Sequence, residues 1–327
     1  MKMETTNSTC PDPIRKLSII VPIFNEQDSV EELHRRILAA CNTDQYQCEI
    51  IYINDGSLDN TPNKLDQLAT IDECVRVIHF NRNFGQTAAL MAGIDHAKGD
   101  VLITLDADLQ NDPKDIPALL SKLNEGYDLV SGWRKDRQDS KYKRILVSRV
   151  ANRLISRLSG VHLNDYGCTL KAYRREIIED IKLYGEMHRF IPIYAAWSGA
   201  RITEIPVNHH ARTHGTSHYG LERTFKVALD LMVIMFLKHY AHKPIYVFGG
   251  CGLISLFCAF VTFFFMIFLK YARDTAFIQT PLPIIAVMFL LVGMISILLG
   301  LIAELLMRTY FESQCKRSYV IKKRNVT

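Results

Sequence analysis

The sequence predicts an α/β fold, a mostly parallel sheet with flanking helices, followed by a two-helix transmembrane region at the C-terminal end. Three observations lead there. Short apolar, β-branched runs alternate with helix-length segments through the first two thirds of the chain, the pattern of a parallel sheet. Each run stops at a cluster of polar turn formers. Residues 245–269 and 283–303 then carry no charge at all, and each covers the ~20 residues a helix needs to cross a bilayer.

Residues 17–23 (LSIIVPI) form a buried-type strand closing at Pro22, and 27–43 read as a helix. The run 49–53 (EIIYI) is a second strand, stopped by Asn54-Asp55-Gly56-Ser57, a turn and helix-cap cluster. Helix 61–70, strand 75–80, helix 84–97 and strand 101–105 follow, with shorter strands at 128–131 and 201–206. Segment 219–243 is helix-length and apolar over most of its surface. Arg223, Lys226 and Lys238 on it can face lipid headgroups, so an interfacial amphipathic helix is expected, with an ordinary packed helix as the alternative. The resulting organisation is a tail (1–16), a catalytic-type domain (17–218), a juxtamembrane helix (219–243), two spans (244–307) and a basic tail (308–327). Lysines, arginines and histidines gather before the first span and after the second. The positive-inside rule therefore places both termini and the large domain in the cytoplasm of a multi-pass protein.

Composition excludes several classes. A net charge of +5 on 327 residues is no nucleic-acid signature. Eight scattered cysteines without a C-x-x-C pair read as reduced thiols, neither a disulfide framework nor a zinc site. MKMETTNSTC lacks the apolar stretch of a signal peptide. Neither G-x-G-x-x-G after the first strand nor G-x-x-x-x-G-K-[ST] occurs, so no dinucleotide cradle or P-loop is indicated. His209, His210, His214 and His218 invite a zinc reading, but their loop context argues against it.

In a parallel sheet, ligands bind beyond the carboxyl ends of the strands. The unusual polar clusters fall there: Asn25-Glu26, Asp55, 81–85 and Asp106–Gln110. In VLITLDADLQ (101–110) two carboxylates flank a small Ala107, and two carboxylates in one place repel unless a cation sits between them. With the Gln110 carbonyl they make a hard-oxygen set suited to Mg²⁺ or Mn²⁺, which usually share such sites with substrate phosphates. Asp55 either caps the next helix or accepts from an N–H of a nucleobase. Segment 132–144 is basic and loop-like.

VPIFNE (21–26), NDGS (54–57), NRNFGQ (81–86) and DADLQ (106–110), in this order, resemble glycosyltransferase family 2 with the GT-A, Rossmann-like fold. WRKDRQDS (133–140), DYGCTLKAYRR (165–175), RFIPI (189–193), EIPV (204–207) and RTHGTSHY (212–219), followed by two spans, are similar to polyprenyl-phosphate glycosyltransferases. Among these are the undecaprenyl-phosphate 4-deoxy-4-formamido-L-arabinose transferases, the bactoprenol glucosyltransferases and the dolichol-phosphate mannose synthases. The resemblance implies a sugar moved from a nucleoside diphosphate donor, UDP-linked, to undecaprenyl or another polyprenyl phosphate. The setting it implies is the cytoplasmic leaflet of a bacterial inner membrane, with membrane lipid around the spans and inversion at the sugar carbon. Pro22, Glu26, Asp55 and Asp106 would bind nucleotide. Asp106, Asp108 and Gln110 would hold Mg²⁺ or Mn²⁺ and the sugar diphosphate. Arg134 and Arg137 would lie on a mobile loop over the donor, and Arg212 with Ser217 would contact phosphate. Asp165 would orient Lys171 or the acceptor, since an anionic acceptor needs little help from a base. The family's Tyr before Asn-Glu is Phe24, and Cys168 stands where several relatives carry a carboxylate, so it reads as a buried structural thiol. Two other classes are open: a processive polysaccharide synthase, whose Gln-x-x-Arg-Trp motif is absent, and a non-catalytic nucleotide-sensing scaffold. Gly249, Gly250 and Gly252 on the first span allow packing against a second copy.

Overall fold

The computed structural model describes residues 14–41, 46–135 and 152–211, apart from 154, 158, 180, 182 and 184–186, and residues 244–313 apart from 274 and 275. The chain divides into two compact units, Met1–Leu231 and Met232–Thr327.

The first unit is built on seven strands: β1 (Lys16–Ile23), β2 (Gln47–Asn54), β3 (Val75–His79), β4 (Val101–Thr104), β5 (Leu129–Trp133), β6 (Lys171–Arg174) and β7 (Ile202–Pro206). Their order across the sheet is β3-β2-β1-β4-β6-β5-β7. The pairs β1–β2, β1–β4, β2–β3 and β5–β7 are parallel. Strand β6 runs antiparallel to both its neighbours. Helices α1 (Val30–Cys41), α2 (Thr61–Ile71), α3 (Gln86–His96) and α4 (Ile116–Asn124) connect the strands.

The strands read as continuous apolar runs because helices cover both faces. Ile19, Val21 and Ile23 of β1 pack with Leu33 and Ile37 of α1 and Leu119 and Leu123 of α4. The alternate residue Ile20 joins Ile51, Ile53 and the Ala89, Leu90 and Ile94 face of α3 on the other side. Helix α1 starts later than its sequence pattern because the Glu26 carbonyl accepts from the N–H of Ser29 (3.1 Å) and of Val30 (3.2 Å), spending 27–29 on a turn.

Strand β6 is the one sheet element that alternation does not reveal. KAYR carries charges at both ends, yet Lys171 and Arg174 are buried. Its direction matters for the site. Lys171 pairs with Thr104 and with Ser131, so the start of β6 lies at the finishing ends of β4 and β5. The loop 165–170 is thereby carried across the same rim as DADLQ.

In the second unit, helices Ile245–Arg273 and Leu282–Ser313 are long and apolar enough to cross a membrane. They pack through small residues. A Cβ on Gly252 would lie 2.9 Å from the Gly293 carbonyl oxygen, and the Ser255 hydroxyl donates to the Phe289 carbonyl (2.7 Å). Gly252 is therefore used within the pair, whereas a Cβ on Gly250 would meet nothing within 4 Å.

Candidate active site

The loops beyond β1, β2, β3 and β4 form one stitched surface. The Asn25 side chain accepts from the Leu58 N–H (2.8 Å), the Ser57 hydroxyl from the Asn25 N–H (2.9 Å), and the Thr61 hydroxyl from the Glu26 N–H (3.0 Å). Asn25 (φ 54) and Leu109 (φ 59) both adopt the left-handed region, so the loops after β1 and β4 each turn sharply at a non-glycine residue. Glu26, predicted to bind nucleotide, accepts from the Ser29 hydroxyl at 2.5 Å and stays partly exposed, as does Pro22.

Asp55 is buried, and its two carboxylate oxygens accept from the backbone N–H groups of Phe84 (2.7 Å) and Gly85 (2.9 Å). Burial raises its proton affinity and those two amides oppose the rise. Asp55 is thus first a clamp on the loop between β3 and α3. Each oxygen keeps a second lone pair for a ligand.

Asp106 accepts from the Gln86 side-chain amide (2.8 Å). Its pKa is pushed up to about 6, by burial first and then by the charge of Asp108, against the pull of Arg134 and Lys171. Asp108 is buried and accepts from the Gln110 N–H (3.2 Å). Two neighbouring carboxylates that repel each other, with a partly exposed Gln110 beside them, fit a hard divalent cation. Among the described residues no group of three His, Cys, Asp or Glu side chains suited to a metal occurs, so a cation here would draw on Gln110 and on substrate oxygens for its further ligands.

Arg134 and Asp165 form a partly buried bidentate pair, Nε to Oδ2 at 2.6 Å and Nη2 to Oδ1 at 2.9 Å. Desolvation works against the guanidinium charge, but the Asp165 carboxylate outweighs it and holds Arg134 protonated beyond its ordinary range. Asp165 also accepts from the Gly167 N–H (3.0 Å). Asp165 thus holds Arg134 just beyond the end of β5, because the fork geometry of a guanidinium matches a carboxylate, and its charge also acts on Lys171. Lys171 is buried and donates to the carbonyls of Tyr166 and Cys168. Burial lowers its pKa to about 8. Cys168 is fully buried, its thiol pushed up to about 11 by that burial, which matches the structural reading of this cysteine.

His210 N–H donates to the Gln110 carbonyl (2.8 Å) and its ring pairs with Asp112 (3.1 Å), while His209 bridges Asn111. Both are tied to the segment after DADLQ. His214 and His218, with the predicted site residues Arg137, Arg212 and Ser217, lie outside the described residues. Charge-based reading overlooked the neutral member of the site. Gln86 stood in NRNFGQ, but an amide at a helix start carries no charge signal.

The family model described as Glycosyl transferase family 2 matches residues 18–182. A dodecaprenyl-phosphate galacturonate synthase of Rhizobium johnstonii is 43% identical over 317 residues, covering 95% of this chain and 94% of its own. An undecaprenyl-phosphate 4-deoxy-4-formamido-L-arabinose transferase of Klebsiella pneumoniae is 37% identical over 313 residues, covering 95% and 94%. Among solved structures, glucosyl-3-phosphoglycerate synthase from Mycobacterium tuberculosis, in complex with Mn²⁺, UDP and glucosyl-3-phosphoglycerate, shares the fold. Its TM-score is 0.52 at 18% identity, over 68% of this chain and 79% of that one.

Proposed function

The chain belongs to glycosyltransferase family 2, and from that premise we propose that it transfers a sugar from a nucleoside diphosphate donor, UDP-linked, to a polyprenyl phosphate such as undecaprenyl phosphate. The observation that carries the reading is the convergence of Asp106, Asp108, Arg134 and Lys171 where β4, β5 and β6 meet. The relatives' names supply the acceptor class, and the Mycobacterium tuberculosis enzyme's complex with UDP and Mn²⁺ supports the donor and the cation.

Asp106, Asp108 and Gln110 would hold Mg²⁺ or Mn²⁺, which supplies Lewis-acid stabilisation of a departing diphosphate. Asp55, Glu26 and Pro22 line the nucleotide end. As the bond to the diphosphate breaks, negative charge grows on its oxygens. Arg134, held rigid by Asp165, and Lys171, the cations that act on Asp106, lower the cost of that charge. The acceptor phosphate is already an anion, so it attacks without a base and the sugar inverts in a single displacement. Asp165, occupied by Arg134 and the Gly167 amide, serves as a holder and not as a proton acceptor. Arg137, Arg212 and Ser217 complete the phosphate contacts in this reading. Membrane spans keep the enzyme beside its lipid acceptor, with the transferase domain and both termini on the cytoplasmic side of the inner membrane.

Purified protein with Mn²⁺, undecaprenyl phosphate and a panel of UDP-sugars is expected to release UDP and form a glycolipid seen by mass spectrometry. The panel starts from the galacturonate and formamido-arabinose donors that the relatives' names suggest. Asp108→Ala should lower turnover about a hundredfold or more while the protein stays folded. Substantial activity in that variant sinks the cation assignment. No product and no nucleotide binding favours the scaffold, and an elongating polymer favours a processive synthase.

A further inference from the structure

The contact between Gln86 and Asp106 joins two parts of the rim that the sequence treats separately. We propose that Gln86 is a positioning residue: its amide fixes the Asp106 carboxylate for a divalent cation, and the Asp55-clamped loop fixes Gln86. The proposal rests on the cation reading of Asp106 and Asp108 given above.

The connection can be followed atom by atom. Asp55 holds the N–H groups of Phe84 and Gly85 with its two oxygens (2.7 and 2.9 Å). Gly56, at φ 68, lets the loop after β2 press on the same segment, where a Cβ would lie 2.4 Å from the Arg82 carbonyl carbon. Gly85 turns the chain at φ 95, and Gln86 follows as the first residue of α3. From that seat its Nε2 donates to Asp106 Oδ1 at 2.8 Å. The carboxylate is thereby oriented by a neutral group.

Neutrality is the chemical point. A lysine in place of Gln86 would orient the carboxylate equally well but would also neutralise it, competing with a cation for the same charge. A primary amide donates one hydrogen bond and leaves the full negative charge in place. The nucleotide end of the rim and its cation end are then joined through one short, clamped stretch, 84–86, in place of two independent loops.

The test uses the full-length protein with UDP and Mn²⁺ as probes, read by calorimetry. Gln86→Met keeps the length of the side chain and removes the donor. The Mn²⁺ concentration that half-saturates the enhancement of UDP binding should rise about tenfold. UDP affinity in chelator and the melting temperature should stay near wild type, because Gln86 is half-buried at a helix start. Gly85→Ala is the second variant. Its Cβ would meet nothing within 4 Å, but φ 95 strains an alanine, so it disturbs the turn that seats Gln86 together with the amide that Asp55 holds, and it should shift the Mn²⁺ midpoint in the same direction. A Mn²⁺ midpoint unchanged in Gln86→Met overturns the positioning role while the proposed function stands. A loss of melting temperature and of metal-free UDP affinity in parallel, with no separate change in Mn²⁺ dependence, also overturns it. A wild-type protein whose UDP binding ignores Mn²⁺ overturns the cation reading, and this proposal with it.

Discussion

At the residue scale, Asp106 shows how a site for charge is kept at the expense of stability. Burial first, and the neighbouring Asp108 charge second, raise its pKa from 3.8 to about 6. A carboxyl whose folded pKa lies above its unfolded one costs stability once it ionises. That cost is absent below about pH 4, grows between pH 4 and 6 as the unfolded chain ionises first, and stays constant above about 6. In chelator, Asp106→Asn is therefore expected to melt at a higher temperature than wild type at pH 7.5. The difference should close toward pH 4, and Mn²⁺ should shrink it at pH 7.5 by supplying the missing positive charge to the wild type. Calorimetric melting of both proteins across pH reads this directly. A wild type that melts above Asp106→Asn at pH 7.5 in chelator contradicts the account. Arg134 and Asp165 make the opposite case, since each supplies the charge that the other lacks and the pair can be partly buried together.

At the element scale, α3 and β6 carry the most site geometry per residue. Helix α3 lies so close to β1 that a Cβ on Gly93 would sit 2.2 Å from Ile20 Cγ2 and 3.0 Å from Ile53 Cδ1. Gly93→Ala must move either the helix or two buried isoleucines, and overpacking of this kind costs about 1–3 kcal/mol. Urea unfolding is expected to show that loss at unchanged m-value, and an unperturbed midpoint would mean the helix has room to shift. The placement of Gln86 depends on this packing, because Gln86 begins the helix that Gly93 seats. Strand β6 works through its direction. A parallel strand in its position would deliver Lys171 to the opposite edge of the sheet. The antiparallel strand puts it across from Thr104 and carries Asp165 and Thr169 over the rim.

At the scale of the whole molecule, the two apolar helices are long and apolar enough to cross a bilayer, and the charge distribution around them bears on the proposed orientation. Lysine, arginine and histidine flank the outer ends of the two spans, so the topology proposed here has both termini in the cytoplasm and residues 274–281 on the far side. Ile278, 98% exposed between the helices, suits a test. In intact cells, Ile278→Cys should react with a membrane-impermeant maleimide. Cys10 and Cys315 in the two tails should react only after permeabilisation. Labelling of the tails in intact cells reverses the orientation. The helix pair is held by close contact and not by the hydrophobic effect, which does not act between apolar surfaces in lipid. Gly252, Gly293 and the Ser255 hydroxyl supply that contact.

Much of this protein is written locally in its chain. Runs such as LSIIVPI and VLIT must be strands buried on both faces, because their apolar side chains leave no polar side to present to water. NDGS and DADLQ must sit at strand ends, since carboxylates and turn formers cannot continue such runs. The two uncharged stretches mark the candidate spans by their length and composition. What the sequence could not show is who meets whom. KAYR gives no sign of being a central strand, because its buried Lys171 and Arg174 look like surface residues until their carbonyl partners are in place. The pairing of Arg134 with Asp165, the grip of Asp55 on Phe84 and Gly85, and the reach of Gln86 to Asp106 all join residues twenty or more positions apart. Secondary structure follows from side-chain pattern over a few residues. Site geometry follows from strand order and direction, and these are fixed only when the whole sheet buries its two faces at once.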